Sequence, residues 1–391
     1  MRIIFFIALA LVLNGCISTN SINTTIKASE LQFSLLLTKA EKANKIPRTL
    51  DEKGKIQWAN ADFDWTEGFF PGSCWYLYEA TKDPKWKLAA EHFQSLFEKH
   101  KLRTDNHDLG FIFNSSFGND YRLTNNEHSK KVMIEAANSL ITRFNPAVGC
   151  IKSWDVDKGW QAKRGWQYPV IIDNMMNLEL LFKVSEFTGD SKYKEIAIIH
   201  ANTTMKNHFR PDNSSYHLVD YDPKNGAVHK KNTAQGFADE SSWARGQAWG
   251  LYGYTVCYRY TKDPKYLEQA EKIATYILTY KGTPEDGIPY WDYNAPKIPN
   301  EPRDVSAAAV TVSALIELDG YTSQSYKADI DKIMNSLASE AYTAKLGENQ
   351  NFILKHSVGS IPHGHEIDVP LNYADYYYLE ALIRNNATKK L

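Results

Sequence analysis

The chain has 391 residues, of which 43% are hydrophobic and 23% charged, the mix of a soluble globular protein with room for one large core or two ordinary ones. With 45 basic and 46 acidic residues its net charge is −1, so no global field draws it to nucleic acid or to an anionic membrane, and any anionic ligand must be held locally. Aromatic residues reach 13%, with 10 Trp and 23 Tyr, a surplus that suits a cleft stacking on the flat faces of sugar rings as well as a core.

The first element in chain order is a targeting segment. Arg2 precedes an apolar run from Ile3 to Leu13, too short for a permanent anchor, which ends in Leu13-Asn14-Gly15-Cys16. This looks like a bacterial lipoprotein signal: residues 1–16 are expected to form the signal peptide, with Cys16 lipidated, and 17–26 a polar tether. The expected location is then periplasmic or outer-membrane-anchored, with membrane contact only through Cys16. Cys74, Cys150 and Cys257 are odd in number and widely spaced, so they read as small buried apolar residues rather than a disulfide framework or zinc cluster.

Residues 27–391 are expected to form a single domain. Within it Thr81-Lys-Asp83-Pro-Lys-Trp86, Thr188-Gly-Asp190-Ser-Lys-Tyr193 and Thr261-Lys-Asp263-Pro-Lys-Tyr266 share a Thr-x-Asp-x-Lys-aromatic pattern. Each joins an aromatic-rich helix to an amphipathic one, with the Asp placed to cap the second. The apolar periodicity predicts polar outer helices near 27–46, 85–100, 127–143, 192–207, 265–281 and 326–341. Apolar inner helices are predicted near 67–80, 109–117, 174–187, 243–260, 305–318 and 371–384. Six such pairs give an all-α (α/α)6 toroid. The long connections at 144–172, 208–242, 282–304 and 342–370 then crowd onto the rim where inner helices begin, and loops often carry sites.

One carboxylate stands out on that rim. In Trp166-Gln-Tyr-Pro-Val-Ile-Ile-Asp173-Asn-Met-Met-Asn177, Pro169 and the β-branched run read as extended, and a helix follows Asp173. Alone, Asp173 reads as an N-cap. Counting back 15 residues from each turn Thr, however, gives Thr66, Asp173 and Gly246, next to Trp65 and Arg245, while Asp108 precedes another inner helix. Capping predicts Asp, Ser or Thr at such places, not Trp or Arg, so Trp65, Asp108, Asp173 and Arg245 are expected to converge on one mouth.

Six segments carry a family resemblance: Gly68-Phe-Phe-Pro-Gly72, His107-Asp-Leu-Gly-Phe111, Val170-Ile-Ile-Asp-Asn-Met-Met-Asn177, Ser215-Tyr-His-Leu-Val-Asp-Tyr-Asp222, Trp243-Ala-Arg-Gly-Gln-Ala-Trp-Gly250 and Ile288-Pro-Tyr-Trp-Asp292. Together they resemble the unsaturated glucuronyl hydrolases, glycoside hydrolase family 88, from about Trp58 to Leu382. That resemblance implies the same (α/α)6 fold, no cofactor, and a substrate with a 4,5-unsaturated uronic acid at its non-reducing end. It implies that Asp173 protonates C4 of the vinyl ether and that Asp108 contacts the ring hydroxyls and Asp173. The substrate contacts implied are His107, His217, Thr233, Gln235, Arg245 and Trp249, with Ser357 and Ser360 near the aglycone. Trp65, Phe111, Trp160 and Trp166 line either cleft or core.

His363-Gly-His365-Glu366 lacks the spacing of a helical zinc motif, and no metal is expected. Asp173 would have to remain protonated near neutral pH, and a close second carboxylate is expected to raise it against the pull of the helix start. Three readings stand beside this one: an unsaturated rhamnogalacturonyl hydrolase, a polysaccharide lyase on the same toroid, and a non-catalytic sugar-binding lipoprotein. The parent glycan is left open, as is the choice between monomer and dimer.

Overall fold

Polar and apolar helices alternate along the chain in the computed structural model, which describes residues 19–388. The helices are α1 (Thr19–Ala43), α2 (Phe69–Thr81), α3 (Pro84–Ser95), α4 (Leu109–Ser115), α5 (Phe117–Thr124), α6 (Glu127–Ile141) and α7 (Leu178–Thr188). They continue as α8 (Ser191–His208), α9 (Ala244–Thr261), α10 (Pro264–Thr279), α11 (Val305–Asp319), α12 (Lys327–Leu337) and α13 (Asn372–Thr388). The signal segment with Cys16 lies outside the described residues. Helix α1 reaches back to Thr19, so most of the segment expected as a tether, residues 19–26, is helical, with Ile22 and Ile26 buried in the core.

The predicted pairs form two concentric rings. Helices α2, α4–α5, α7, α9, α11 and α13 each pack on the next, and α13 returns to α2. Around them α3, α6, α8, α10 and α12 each back the preceding inner helix, while α1 backs α13, so the two ends of the chain close the (α/α)6 ring. Burial follows the apolar pattern. Every residue of α9 from Ala244 to Cys257 is buried, whereas α10 buries one stripe.

The repeated turn explains the hairpins. Lys82, Gly189 and Lys262 are left-handed, and Asp83, Asp190 and Asp263 accept the backbone N–H of Lys85, Lys192 and Lys265 at 2.9, 3.0 and 3.2 Å. Thr124-Asn125-Asn126 is a fourth copy, with Asn126 capping α6; the amide in place of carboxylate hid it from the pattern.

The rim connections differ from the loops expected. The segment between α1 and α2 contains β1 (Pro47–Leu50) and β2 (Ile56–Trp58), and the long connections contain β3 (Phe144–Asn145), β4 (Cys150–Ile151), β5 (Pro169–Ile171), β6 (Leu218–Tyr221), β7 (Val228–Asn232), β8 (Ser357–Ser360) and β9 (His365–Val369). Strands β5, β6 and β7 form one antiparallel sheet in that order, pairing Val170 with Val219 and Ile171 with Leu218; β8 pairs with β9. Strands of two to five residues are too short to show alternation, so this layer was invisible to periodicity. Cys74, Cys150 and Cys257 are buried and free, as their spacing implied.

Candidate active site

Asp173 does not cap a helix. It sits in a 3-10 turn, 172–177, whose N-cap is Ile171, and its Oδ1 has no hydrogen-bond partner. Its polar neighbours are committed elsewhere. Asn174 Nδ2 donates to Ile151 O at 2.7 Å, and Asn177 Oδ1 accepts the N–H of Phe111 at 3.0 Å, capping α4 from a neighbouring helix. Of the polar side chains in this turn, that of Asp173 is the one that can carry a proton to a substrate.

Asp108 stands at the start of α4, where its side chain makes no cap hydrogen bond, and its backbone N–H donates to Asn106 Oδ1 at 2.6 Å. His107 Nε2 lies 3.1 Å from Asp108 Oδ1. The close approach of α4 to the Asp173 turn depends on Gly110, where an added Cβ would fall 2.4 Å from Asn177 Cα. Asp108 and Asp173 are each 8% exposed, enough to meet a ligand at the rim while shedding most of their hydration.

Sheet pairing brings up the third group. Ile172 N–H donates to His217 O at 2.9 Å, which sets the imidazole beside Asp173. His217 Nδ1 accepts the N–H groups of Ala234 at 2.9 Å and Gln235 at 3.3 Å, so the neutral ring carries its proton on Nε2, 3.8 Å from Asp173 Oδ1. Thr233 shapes this turn, its Oγ1 accepting the N–H of Gly236 at 2.8 Å, and Gln235 Nε2 reaches Gly359 O at 3.4 Å. These residues orient His217.

Two of the expected contacts are deeply buried. Arg245 is 1% exposed; its Nη1 donates to Asp304 Oδ2 at 2.9 Å and to Val358 O, and its Nη2 to Gly359 O at 2.6 Å. Both terminal nitrogens thus donate to the protein, while Arg245 Nε has no hydrogen-bond partner. Trp249 is fully buried, packed edge-on against Phe111 at 5.0 Å and Tyr377 at 5.4 Å, and its Nε1 has no hydrogen-bond partner. Ser357 Oγ is buried, and Ser360 Oγ hydrogen-bonds His363 Nδ1 at 2.7 Å on the β8–β9 hairpin. Among the described residues no group of three or more His, Cys, Asp or Glu is arranged to hold a metal ion.

Aromatic rings line the approach. Trp65 is partly exposed, with its ring 5.4 Å from Phe111 and 5.1 Å from Tyr373. Trp154, which sequence reasoning missed, lies 6.3 Å from His107 and 6.1 Å from His217 and stacks on Trp166 at 5.8 Å. Trp160, 36% exposed, extends this wall to His363 at 5.0 Å. A lone Trp in a polar connection carries no signal until β4 and β5 bring it to the rim; Ser153 beside it fixes Ile171 N–H at 2.9 Å.

The electrostatics favour protons on carboxyls and neutral imidazoles. Burial pushes Asp173 up to about 7, opposed by Arg245 and by its own backbone N–H. Burial, then the Asp173 charge, raises Asp108 well above the ordinary range, with Arg143 opposing. The direction matches the expectation, but the leading cause is desolvation rather than the second carboxylate. Burial first, then His208 and Arg245, keeps His217 neutral; burial and Arg143 lower His107 to about 3. The pair titrates as a unit and holds at least one proton into the neutral range.

The opposite end of the barrel holds a cavity of about 560 Å³ lined by Glu179, Arg259, Glu317, Glu380 and Arg384. Its acids and bases pair with one another, as in Arg259 with Glu179 at 2.6 Å, so it lacks the unpartnered carboxylates of the rim.

Comparison with known proteins places these residues in context. The Glycosyl Hydrolase Family 88 pattern matches residues 39–389. An unsaturated glucuronyl hydrolase of Formosa agariphila is 46% identical over 357 residues, covering 91% of this chain and 88% of that protein. An unsaturated chondroitin disaccharide hydrolase of Streptococcus agalactiae is 35% identical over 330 residues, covering 82% and 81%. The crystal structure of an unsaturated glucuronyl hydrolase specific for heparin superposes with a TM-score of 0.90 at 44% identity, covering 96% of this chain and 99% of the other.

Proposed function

The chain belongs to glycosyl hydrolase family 88, and on that premise we propose that it removes the 4,5-unsaturated uronic acid from lyase-generated oligosaccharides, with Asp173 as the acid. One observation carries the residue assignment. Asp83, Asp190 and Asp263 cap the outer helices they precede and Asp304 caps the inner helix α11, while the side chains of Asp108 and Asp173, at inner-helix starts, cap nothing. Two carboxyls are kept unspent, buried and protonatable at one rim.

The chemistry follows from that state. Asp173 delivers its proton to C4 of the vinyl ether; the alkene electrons form the new C–H bond, and the ring oxygen stabilises the cation at C5. Water adds at C5 and gives its proton to the carboxyl pair, which restores the acid. The C5 hemiketal opens, the C1 hemiacetal expels the aglycone alcohol, and the sum is one water added. No displacement occurs at C1, so the carboxylate-separation rule for retaining and inverting glycosidases does not apply. Asp108 and neutral His217 flank the acid, Trp65 and Trp154 present ring faces to the sugar, and Ser357 and Ser360 lie toward the aglycone.

A panel of unsaturated disaccharides, heparin- and chondroitin-derived first because the relatives named above act on such sugars, tests this by absorbance of the conjugated uronate. Loss of absorbance with release of the aglycone is the expected result. A rise would mark a lyase, and binding without change a sugar-binding protein.

We also propose that the chain is an exported lipoprotein anchored through Cys16, supported by Arg2, the apolar run and Leu13-Asn14-Gly15-Cys16. Among the described residues no helix is long and apolar enough to cross a membrane. Mass spectrometry of the mature N-terminus tests this: a diacylated Cys16 is expected, and an unprocessed Met1 contradicts it. Light scattering distinguishes monomer from dimer.

A further inference from the structure

Behind the acid lies a second buried carboxylate with a divided task. Asp304 is 0% exposed at the start of α11. Its Oδ1 caps that helix, accepting Ser306 N–H at 3.1 Å and Ser306 Oγ–H at 2.6 Å, whereas its Oδ2 takes Arg245 Nη1 at 2.9 Å. Arg245 is in turn stacked between Trp243 and Tyr373, its guanidinium 4.5 and 5.4 Å from the two rings, and it ties down the backbone of β8. Helix capping alone needs one oxygen and no arginine. The other oxygen serves the rim.

We propose that Asp304 is a positioning residue for the acid: it fastens Arg245 to the β8 carbonyls and neutralises that cation behind Asp173. The inference rests on Asp173 being the acid. The groups facing Asp173 are Asp108 and His107 at the start of α4, His217 at the start of β6, and Arg245 from α9. Arg245 itself faces Asp304, Tyr373, Glu366 and Asp173. Among the charges acting on Asp173, Arg245 is the one that favours its ionised form. A buried cation stripped of its partner acts at greater strength in a poorly solvated site, and would draw the proton off Asp173 at lower pH.

Asp304→Asn separates the two tasks, because the amide oxygen still caps α11 while the charge is gone. The measurement is kcat/KM against pH on an unsaturated disaccharide with the full chain. The basic limb, where Asp173 loses its proton, is expected to move to lower pH by about half a unit to one unit. Arg245→Gln combined with Asp304→Asn removes both charges and is expected to return the limb to the wild-type position or above it. A limb unmoved in Asp304→Asn, with rates reduced evenly at every pH, would mean that Asp304 is only structural and overturn the proposal. A limb that stays low in the double variant overturns it too, and this variant serves if the single one fails to fold. Asp173→Asn, assayed in parallel, distinguishes the two failures: if it keeps turnover, the acid assignment itself is wrong, whereas an inactive Asp173→Asn beside an unmoved limb removes only the role of Asp304.

Discussion

Asn177 Oδ1 accepts the backbone N–H of Phe111 at 3.0 Å, so the turn that carries Asp173 also caps the helix that carries Asp108. The two carboxyls are thereby fixed to each other through one hydrogen bond and the contact at Gly110. Asn177→Ala should cost about 1–2 kcal/mol of stability, the range for a lost helix cap, and lower kcat more than stability alone explains. Thermal unfolding and kinetics at a temperature where the variant is fully folded check this; unchanged kcat would disconnect the cap from the chemistry. Gly110→Ala should be worse, since the new methyl meets Asn177 backbone.

Retaining a proton on Asp173 has a thermodynamic cost. Its folded value, about 7, is above the ordinary 3.8, so between those values the folded state binds more protons than the unfolded one, and stability falls as pH rises. The neutral isostere Asp173→Asn avoids that loss. It should exceed the wild type in stability at pH 7–8 by on the order of 1–3 kcal/mol, with the difference vanishing near pH 4. Denaturant melts at the two pH values decide; a variant less stable at pH 8 would show that burial does not strain this carboxyl.

Opposed groups shape the pH profile of the whole fold. Burial lowers His107, His200 and His208 to between about 3 and about 4 and holds His217 well below its ordinary value, so these imidazoles favour folding above 6.5 and oppose it increasingly below. Burial also raises Glu67, Asp173 and Asp375 to about 7, and Asp108 well above the ordinary carboxyl range, which works in the other direction over the same interval. The two sets offset, and unfolding midpoints should vary little between about pH 4.5 and 6.5, then drop below pH 4, where the histidines and carboxylates held low by neighbouring cations, such as Glu179 and Glu317, still differ. A steep, steady change across that interval would show that one set is absent.

Trp154 presents its ring between His107 and His217 and is backed by Trp166. Trp154→Ala should raise KM about five- to twenty-fold with a smaller effect on kcat, the pattern of a lost stacking surface. A fall in kcat at unchanged KM would instead assign it to holding the two imidazoles.

The toroid was legible in the sequence because its cause is local: apolar recurrence marks each helix, and Thr-x-Asp turns mark three of the hairpins. Asp108, Asp173 and Trp65 were legible as a rim by register. What could not be read is how the rim is stitched. The pairing of β5 with β6 that delivers His217, the amide cap at Asn177 and the Arg245–Asp304 ion pair at 2.9 Å all join residues far apart in the chain. For the same reason the burial of Arg245 and Trp249 could not be read: the terminal nitrogens of Arg245 donate to Asp304 Oδ2 and Gly359 O, and the Trp249 ring lies edge-on to Phe111. Asp173 looked like a cap because most helix-start aspartates here are caps.

The account depends most on Asp173 delivering a proton to an alkene carbon, and turnover by Asp173→Asn is its most direct test. With the fold verified by circular dichroism, loss of uronate absorbance should slow by about a hundred-fold or more, while an unsaturated disaccharide still binds. Turnover close to that of the wild type would contradict the account.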